Sequence, residues 1–262
     1  MTQYFDGFEV VSESKNFIIT CVDDPAARQR AQDVSYTCEA DLTRLEQIFS
    51  TNFQTGESHD YTTWVHVVTP LPGATANGMN YGYARDQSSR MIIMGAYTPQ
   101  AGPPFPPDPP LPALDVNRIL HDFARRIFVV ELSEIMMGFT GYGWDEGQSH
   151  GEGLSEIVGA LFYPVAYYDS GQGPRVTNWL NGIPATATAP AQPGRVDWVS
   201  KTEGTDKNSI SYGCAILFIN YLIYQLGHPL EKVVAAGSDT LANTYAKLTA
   251  IPRRKPSWIF RV

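Results

Sequence analysis

The chain has 262 residues, of which 43% are hydrophobic and 18% are charged, so it is large and apolar enough to fold around its own core. Its formal net charge of −8 argues against a nucleic-acid-binding surface, because such a surface needs a basic stripe. The one concentrated run of positive charge, Arg253-Arg254-Lys255, is typical of a solvated tail. No apolar run reaches the ~18 residues of a membrane span, and residues 1–6 lack the features of a signal peptide. A removed leader would leave the same sequence, so the compartment is not predicted.

The three cysteines leave two alternatives open. Cys21 and Cys38 are consistent either with free thiols or with one disulfide. Cys214 lies in an apolar helical run and is predicted to pack as a small core residue.

The first part of the chain carries strand patterns and one helical pattern. Residues 8–11, 17–21, 61–68 and 91–94 are short runs of β-type residues. Residues 25–49 place apolar side chains at three- and four-residue intervals, which predicts a helix. We expect the strands to form one mixed or antiparallel sheet against that helix.

The second part is predicted to be mainly helical. A proline-dense surface loop over residues 98–113, for which a polyproline ligand is the alternative interpretation, leads into a helix over residues 116–139 with Asp115 as its N-cap. A glycine-rich loop follows, and then a helical region over residues 150–168 that Pro164 breaks or kinks.

The remaining pattern completes an α+β order. Residues 169–208 are rich in glycine, proline, serine and threonine and are predicted to form a long connection. A third helix covers residues 211–226 and ends at Gly227 as at a C-cap, and two shorter helices follow to about residue 248. Sheet segments first and helices second predict an α+β fold in one domain. We divide that domain, residues 1–262, into a sheet-rich part (1–97), the proline-rich loop (98–113), a helical part (114–250) and a C-terminal tail (251–262).

Two glutamates lie inside the long apolar helix. Glu131 and Glu134 are three residues apart, so they project to the same side, and apolar residues flank both. A carboxylate in such surroundings costs free energy unless it reaches water, a partner or a metal ion. A solvated stripe and a buried or functional network both remain open for Glu131.

Glu152 lies between two glycines at the start of the next helical region. Glycine on both sides allows the backbone to approach a neighbour closely, which favours a functional position. The alternative is a loop-to-helix junction, in which Ser149 or His150 belongs to the cap and Glu152 is favoured at the positive helix end.

Together, Val130-Glu131-Leu132-Ser133-Glu134 and Gly151-Glu152-Gly153-Leu154-Ser155-Glu156 resemble the two zinc-binding segments of the gluzincin metallopeptidases, the superfamily of thermolysin and the aminopeptidases. In that family the first segment is His-Glu-x-x-His, whose histidines bind zinc and whose glutamate is the general base, and a later glutamate is the third ligand. Residues 213–227 resemble a later helix of the aminopeptidases. The resemblance covers about residues 115–248 and implies a gluzincin-like helical half.

The resemblance implies roles residue by residue. Glu131 falls on the general base and Glu152 on the third zinc ligand, whereas Val130 and Glu134 stand where the family has its two histidines. Valine cannot bind a metal, and carboxylates without imidazole favour harder cations than zinc. A metal-bound form would use Glu134 and Glu152 with His150 as ligands. The sequence favours no bound cofactor, with zinc or another divalent cation as the alternative.

Two aromatic residues complete the candidate site. Ile210 falls near the transition-state tyrosine of the family, and Tyr212 is close to it in the chain. Trp144, in the glycine-rich loop, belongs to a set of aromatic residues that either stack on a sugar or fill the core. We predict Tyr212 and Trp144 as ligand-binding residues.

Three functions are consistent with these residues. The leading hypothesis is a metallopeptidase-like protein that has lost its zinc ligands, is not an enzyme, and binds a peptide or protein in the former cleft. The second is a hydrolase that keeps a divalent metal and uses Glu131 as base. The third is a glycoside hydrolase with a carboxylate pair such as Glu131 and Glu152, or Asp145, across an open cleft.

Overall fold

A computed structural model describes residues 7–52, 62–68, 82–84, 91–95, 116–145, 147–164, 173–204 and 208–250 of the protein. The described residues form an α+β fold, as predicted, with the strands near the N-terminus and helices in the remainder. In chain order the described elements are β1 (Phe8–Glu13), β2 (Phe17–Val22), α1 (Pro25–Ser35), α2 (Cys38–Phe49), β3 (Thr63–Val68), β4 (Gly82–Ala84), β5 (Met91–Gly95), α3 (Val116–Thr140), α4 (Ser149–Phe162), α5 (Gly173–Asn181), α6 (Ser209–Asn220), a π-helical turn (Tyr221–Gln225), α7 (Leu230–Ala235) and α8 (Leu241–Thr249).

The strands form one mixed sheet in the order β1-β2-β3-β5-β4. The inner pairs, β2 with β3 and β3 with β5, are parallel, and the two outer pairs are antiparallel. The predicted mixed sheet is therefore confirmed. The sequence did not predict β4, because a three-residue strand that contains a glycine is too short to show an alternating pattern.

The single helix predicted over residues 25–49 is wrong, because the structure has two helices there. Asp24 caps α1, since its side chain accepts a hydrogen bond from the Ala27 N–H at 2.9 Å. The chain leaves α1 where the Thr37 N–H donates to the Val34 carbonyl at 3.1 Å, and α2 begins at the next residue. Apolar residues on both sides of this break face the core, so the periodicity alone did not reveal it.

The helix predicted over residues 116–139 is confirmed as α3. Every residue from Phe123 to Met137 except Arg125 is buried. α3 packs against α1, α2 and β5, and also against α4. α4 ends before Pro164, where the sequence predicted a break. Because α3 is buried nearly all round over residues 123–137, the polar side chains of that stretch have to find partners inside the protein.

The long connection predicted over residues 169–208 is wrong in part, because it contains α5. α5 packs against α6, and the Trp179 indole N–H donates to the Val196 carbonyl at 2.8 Å. The sequence interpretation took Gly173 and Pro174 as loop residues, although proline is well placed in the first turn of a helix.

The predicted helix over residues 211–226 is confirmed, and it is followed by the two predicted shorter helices, α7 and α8. Its last turn is π-helical, and Gly227 comes next with a φ of +71°, a left-handed conformation that glycine adopts without strain. The three cysteines are buried and unpaired. Among the described helices, none has the length and apolar character to cross a membrane.

Three sequence predictions cannot be compared with this structure. The proline-rich loop over residues 98–113, the N-cap Asp115 and the C-terminal tail over residues 251–262 lie outside the described residues.

Candidate functional site

A buried cluster of four carboxyl groups lies where α3 faces α4. Glu131 and Glu134 belong to α3, Glu152 and Glu156 belong to α4, and none is more than 7% exposed. Spacings of three and four residues put each pair on one side of its helix. The structure therefore brings together Glu131, Glu134 and Glu152, which the sequence singled out. Sequence analysis gave Glu156 no role of its own, although its position four residues after Glu152 was a signal for it.

Glu156 is paired with two arginines. One carboxyl oxygen accepts a hydrogen bond from Arg126 Nη2, and the other accepts one from Arg175 Nη1 at 2.9 Å. Arg126 is fully buried and comes from α3, whereas Arg175 comes from α5. These ion pairs join three helices at one carboxylate. Neither arginine was among the candidate site residues that the sequence predicted.

Glu134 accepts a hydrogen bond from Ser155 Oγ at 2.9 Å. The same hydroxyl lies 3.0 Å from the Glu152 carbonyl oxygen, so its single proton is shared between two acceptors. Burial raises the pKa of Glu134 well above its ordinary value, and the nearby carboxyl groups of Glu131 and Glu152 raise it further. The site therefore favours the neutral, protonated form of Glu134.

Glu131 has no exposed surface, and within the described part of the chain neither of its carboxyl oxygens has a hydrogen-bond partner. Burial raises the pKa of Glu131 well above its ordinary value, and the negative charges of Glu152 and Glu156 add to this effect. A carboxyl group in this position favours its neutral form. It is chemically suited to hold a proton, and none of its own surface is exposed to solvent.

His150 and Trp144 form a separate contact beside the cluster. Their rings stack with 5.6 Å between centroids. His150 Nδ1 lies 3.0 Å from Thr202 Oγ1, and its Nε2 lies 3.4 Å from the Gly143 carbonyl oxygen. Burial lowers the pKa of His150 and so favours the neutral imidazole. Because both ring nitrogens face these groups, the structure does not join His150 to the carboxylate cluster.

The two aromatic residues predicted to bind a ligand are both buried. Trp144 Nε1 donates to the Val234 carbonyl at 2.9 Å, so the indole anchors the loop between α3 and α4. The ring of Tyr212 lies under the Arg175 guanidinium, 4.6 Å from ring centroid to Cζ. Tyr212 therefore adjoins the cluster through Arg175, whereas Trp144 does not. Ligand binding by either residue stays a prediction.

Apolar packing occupies the position at which the family has its first histidine. Val130 is buried against Gly159 of α4, where an added Cβ would lie 2.6 Å from Val130 Cγ2. Ile210, near the position of the family's tyrosine, is buried as well. Across the described ranges, no three histidine, cysteine, aspartate or glutamate side chains are arranged to hold a metal ion. This donor set does not fit zinc as the gluzincins bind it, because they use two imidazoles.

No protein-family model, curated protein or solved structure matches this chain. The likeness to gluzincins therefore depends on the sequence segments named above and stays a prediction.

Proposed function

We propose that this protein is a metallopeptidase-like protein that does not hydrolyse peptides with zinc and that functions by binding a peptide or a protein. The observation that carries this proposal is the packing of Val130 against Gly159, since the gluzincin resemblance aligns Val130 with the first zinc ligand. The complete burial of Glu131 adds support, because a general base has to come within hydrogen-bond reach of the proton that it takes.

Three exposed tyrosines, two of which lie beside the partly buried Phe218, support the binding part of the proposal. The Phe218 ring lies 6.2 Å from the ring of Tyr221 and 6.5 Å from that of Tyr245. Tyr221 and Tyr245 are 46% and 39% exposed, and Tyr224, in the same π-helical turn as Tyr221, is 63% exposed. Tyrosine is enriched at protein interfaces, and π-helical turns recur at functional sites. We call these four residues the tyrosine surface and place partner binding there, because the carboxyl groups of the former cleft are buried.

Metal content tests the catalytic part of the proposal. We expect elemental analysis of the purified protein to find far less than one zinc or manganese ion per chain. We also expect no peptidase activity that 1,10-phenanthroline abolishes. Near-stoichiometric metal, or a chelator-sensitive activity that Glu131→Gln removes, would overturn this part and favour a metal-dependent hydrolase.

Peptide selection tests the binding part. We expect a random peptide library to yield a consistent sequence motif on the wild-type protein. The combined change Tyr221→Ser and Tyr224→Ser should weaken binding of that peptide about tenfold or more, because exposed aromatic anchors carry much of an interface's affinity. Tyr36→Ser, which removes a 76% exposed tyrosine from the sheet-rich part, is the matched control. Equal losses in both variants, or no enriched motif, contradict the tyrosine surface as the binding site.

A hydrolase that binds a divalent cation is the second candidate, and Glu131 is the observation that favours it. A buried carboxyl with a raised pKa and no hydrogen-bond partner among the described residues is typical of a catalytic acid or a cation ligand. The glycoside hydrolase hypothesis has no such support. It needs an open cleft between two acids, whereas Glu131 and Glu152 are both buried.

A further inference from the structure

The carboxylate cluster needs positive charge, whether or not a metal is present. Buried carboxylates without a compensating cation or proton are strongly unfavourable. Two guanidinium groups, those of Arg126 and Arg175, supply positive charge to the cluster at Glu156.

The packing of α4 on α3 makes room for the first of these groups. Gly159 lies three residues after Glu156, and a Cβ at this glycine would be 3.3 Å from Arg126 Cγ. The side chain of Arg126 therefore runs along the glycine surface of α4 before its Nη2 reaches Glu156. A larger residue at this position would displace the arginine stem.

The packing of α5 on α6 holds the second group. Gly213 lies so close to α5 that an added Cβ would be 2.0 Å from the Arg175 carbonyl oxygen. The Tyr212 ring lies beside the same arginine and faces its guanidinium. Backbone contact and the aromatic ring thus hold Arg175 in the direction of Glu156.

We propose that Arg126 and Arg175 supply the internal positive charge of the carboxylate cluster, and that their guanidinium groups, by holding both oxygens of Glu156, fasten α3, α4 and α5 around it. Guanidinium is suited to this role, since it stays charged when buried and presents several N–H donors in one plane. This inference rests on the metal-free state in the proposed function. It adds that the cluster is a structural centre with an internal cation.

Arg126→Met tests this centre, because it keeps an unbranched stem and removes the charge. Glu156 would then stay buried with one arginine fewer. We expect the folding equilibrium constant, from urea titration, to fall about a hundredfold or more. Arg28→Met is the matched control, since it removes the same group from the exposed pair with Glu9 and should change that constant far less. Equal losses in the two variants would overturn the inference.

A metal test and a rescue variant complete the experiment. EDTA should leave the urea midpoint of the wild type unchanged, and added Zn²⁺ or Mn²⁺ should not raise it. A midpoint that falls with EDTA or rises with metal would overturn the inference. Arg126→Lys, which keeps the charge, should recover part of the stability that Arg126→Met loses. If Arg126→Met gives no folded protein, Glu156→Gln compared with Glu9→Gln takes its place.

The two proposals fail in different ways. If the purified protein holds no metal and Arg126→Met loses no more stability than Arg28→Met, the arginine centre is overturned and the proposed function stands. A stoichiometric metal ion in the purified protein overturns the proposed function itself.

Discussion

The sheet-rich part holds a partly buried glutamate, Glu39, and the helical part holds a fully buried one, Glu131. The two differ in the hydrogen-bond donors around their carboxyl groups. The carboxylate of Glu39 accepts hydrogen bonds from Ser14 Oγ at 2.7 Å and from Asn16 N and Nδ2 at 2.8 and 2.6 Å. Glu131 has no such donor among the described residues. Burial raises the pKa of both acids, but the hydrogen bonds outweigh burial at Glu39 and lower its pKa. The donors around a carboxyl group, rather than its burial alone, decide whether it is charged.

The helical part also depends on close approach between helices. Gly153 meets α6 so closely that an added Cβ would lie 2.5 Å from Ala215 Cβ. Gly159 and Gly213 bring α4 to α3 and α6 to α5 in the same way. The sheet is joined instead by its backbone hydrogen-bond ladders, which tolerate most side chains. Substitutions at these glycines are therefore the clearest test of how the packing of the helical part differs from that of the sheet.

The largest expected effect is that of Gly213→Ala. The new Cβ would meet the Arg175 carbonyl oxygen at 2.0 Å and its carbon at 2.6 Å, and backbone atoms cannot rotate away as a side chain can. We expect the free energy of unfolding, from urea titration, to fall by about 3 kcal/mol. Gly138→Ala in α3 is the control, since no atom lies within 4 Å of its new Cβ. A similar result for both variants would show that the approach of α5 to α6 is not tight.

A smaller effect, dependent on pH, is expected for Glu131→Gln. An acid whose folded-state pKa is raised stays protonated in the folded protein at a pH where it ionises in the unfolded chain. Its contribution to stability is therefore fully present below about pH 4.5 and is lost as the pH rises. One such proton changes the free energy of unfolding by about 1.4 kcal/mol per pH unit. Glutamine cannot ionise, so the variant should gain stability relative to the wild type as the pH rises above about 4.5. Urea titrations that give parallel pH curves for the two proteins would contradict this.

The smallest effect, with the opposite sign, is expected for Glu39→Gln. An acid whose folded-state pKa is lowered contributes stability above about pH 4.5, and this contribution is lost as the pH falls through the folded pKa. The variant should therefore be less stable than the wild type near neutral pH and equal to it in acid. Solvent screening makes the difference smaller than that at Glu131. Glu13→Gln, an exposed glutamate of the same part, controls for the loss of one charge, and an equal loss there would contradict the prediction.

The sequence predicted those helices and strands that are long enough to show a hydrophobic periodicity within their own residues. α3, β2 and β3 are long enough for that, and the structure confirms them. The break at Tyr36 between α1 and α2 was missed because both helices keep their apolar residues toward the core. α5 was missed because Gly173 and Pro174 resemble a loop until the helix after them is packed on α6.

The sequence by itself determined the α+β order of elements and the positions of Glu131, Glu134 and Glu152 on consecutive helical segments, because hydrophobic periodicity and residue spacing are local properties. The tertiary structure alone decided what surrounds those acids. Arg126 and Glu156 are 30 residues apart, and Glu156 and Arg175 are 19 apart. Such pairs form only when helices pack at a given distance and rotation, which here depends on glycines that carry no charge or periodic signal. The spacing of these acids was therefore visible in the sequence, whereas the arginine pairs around them were not.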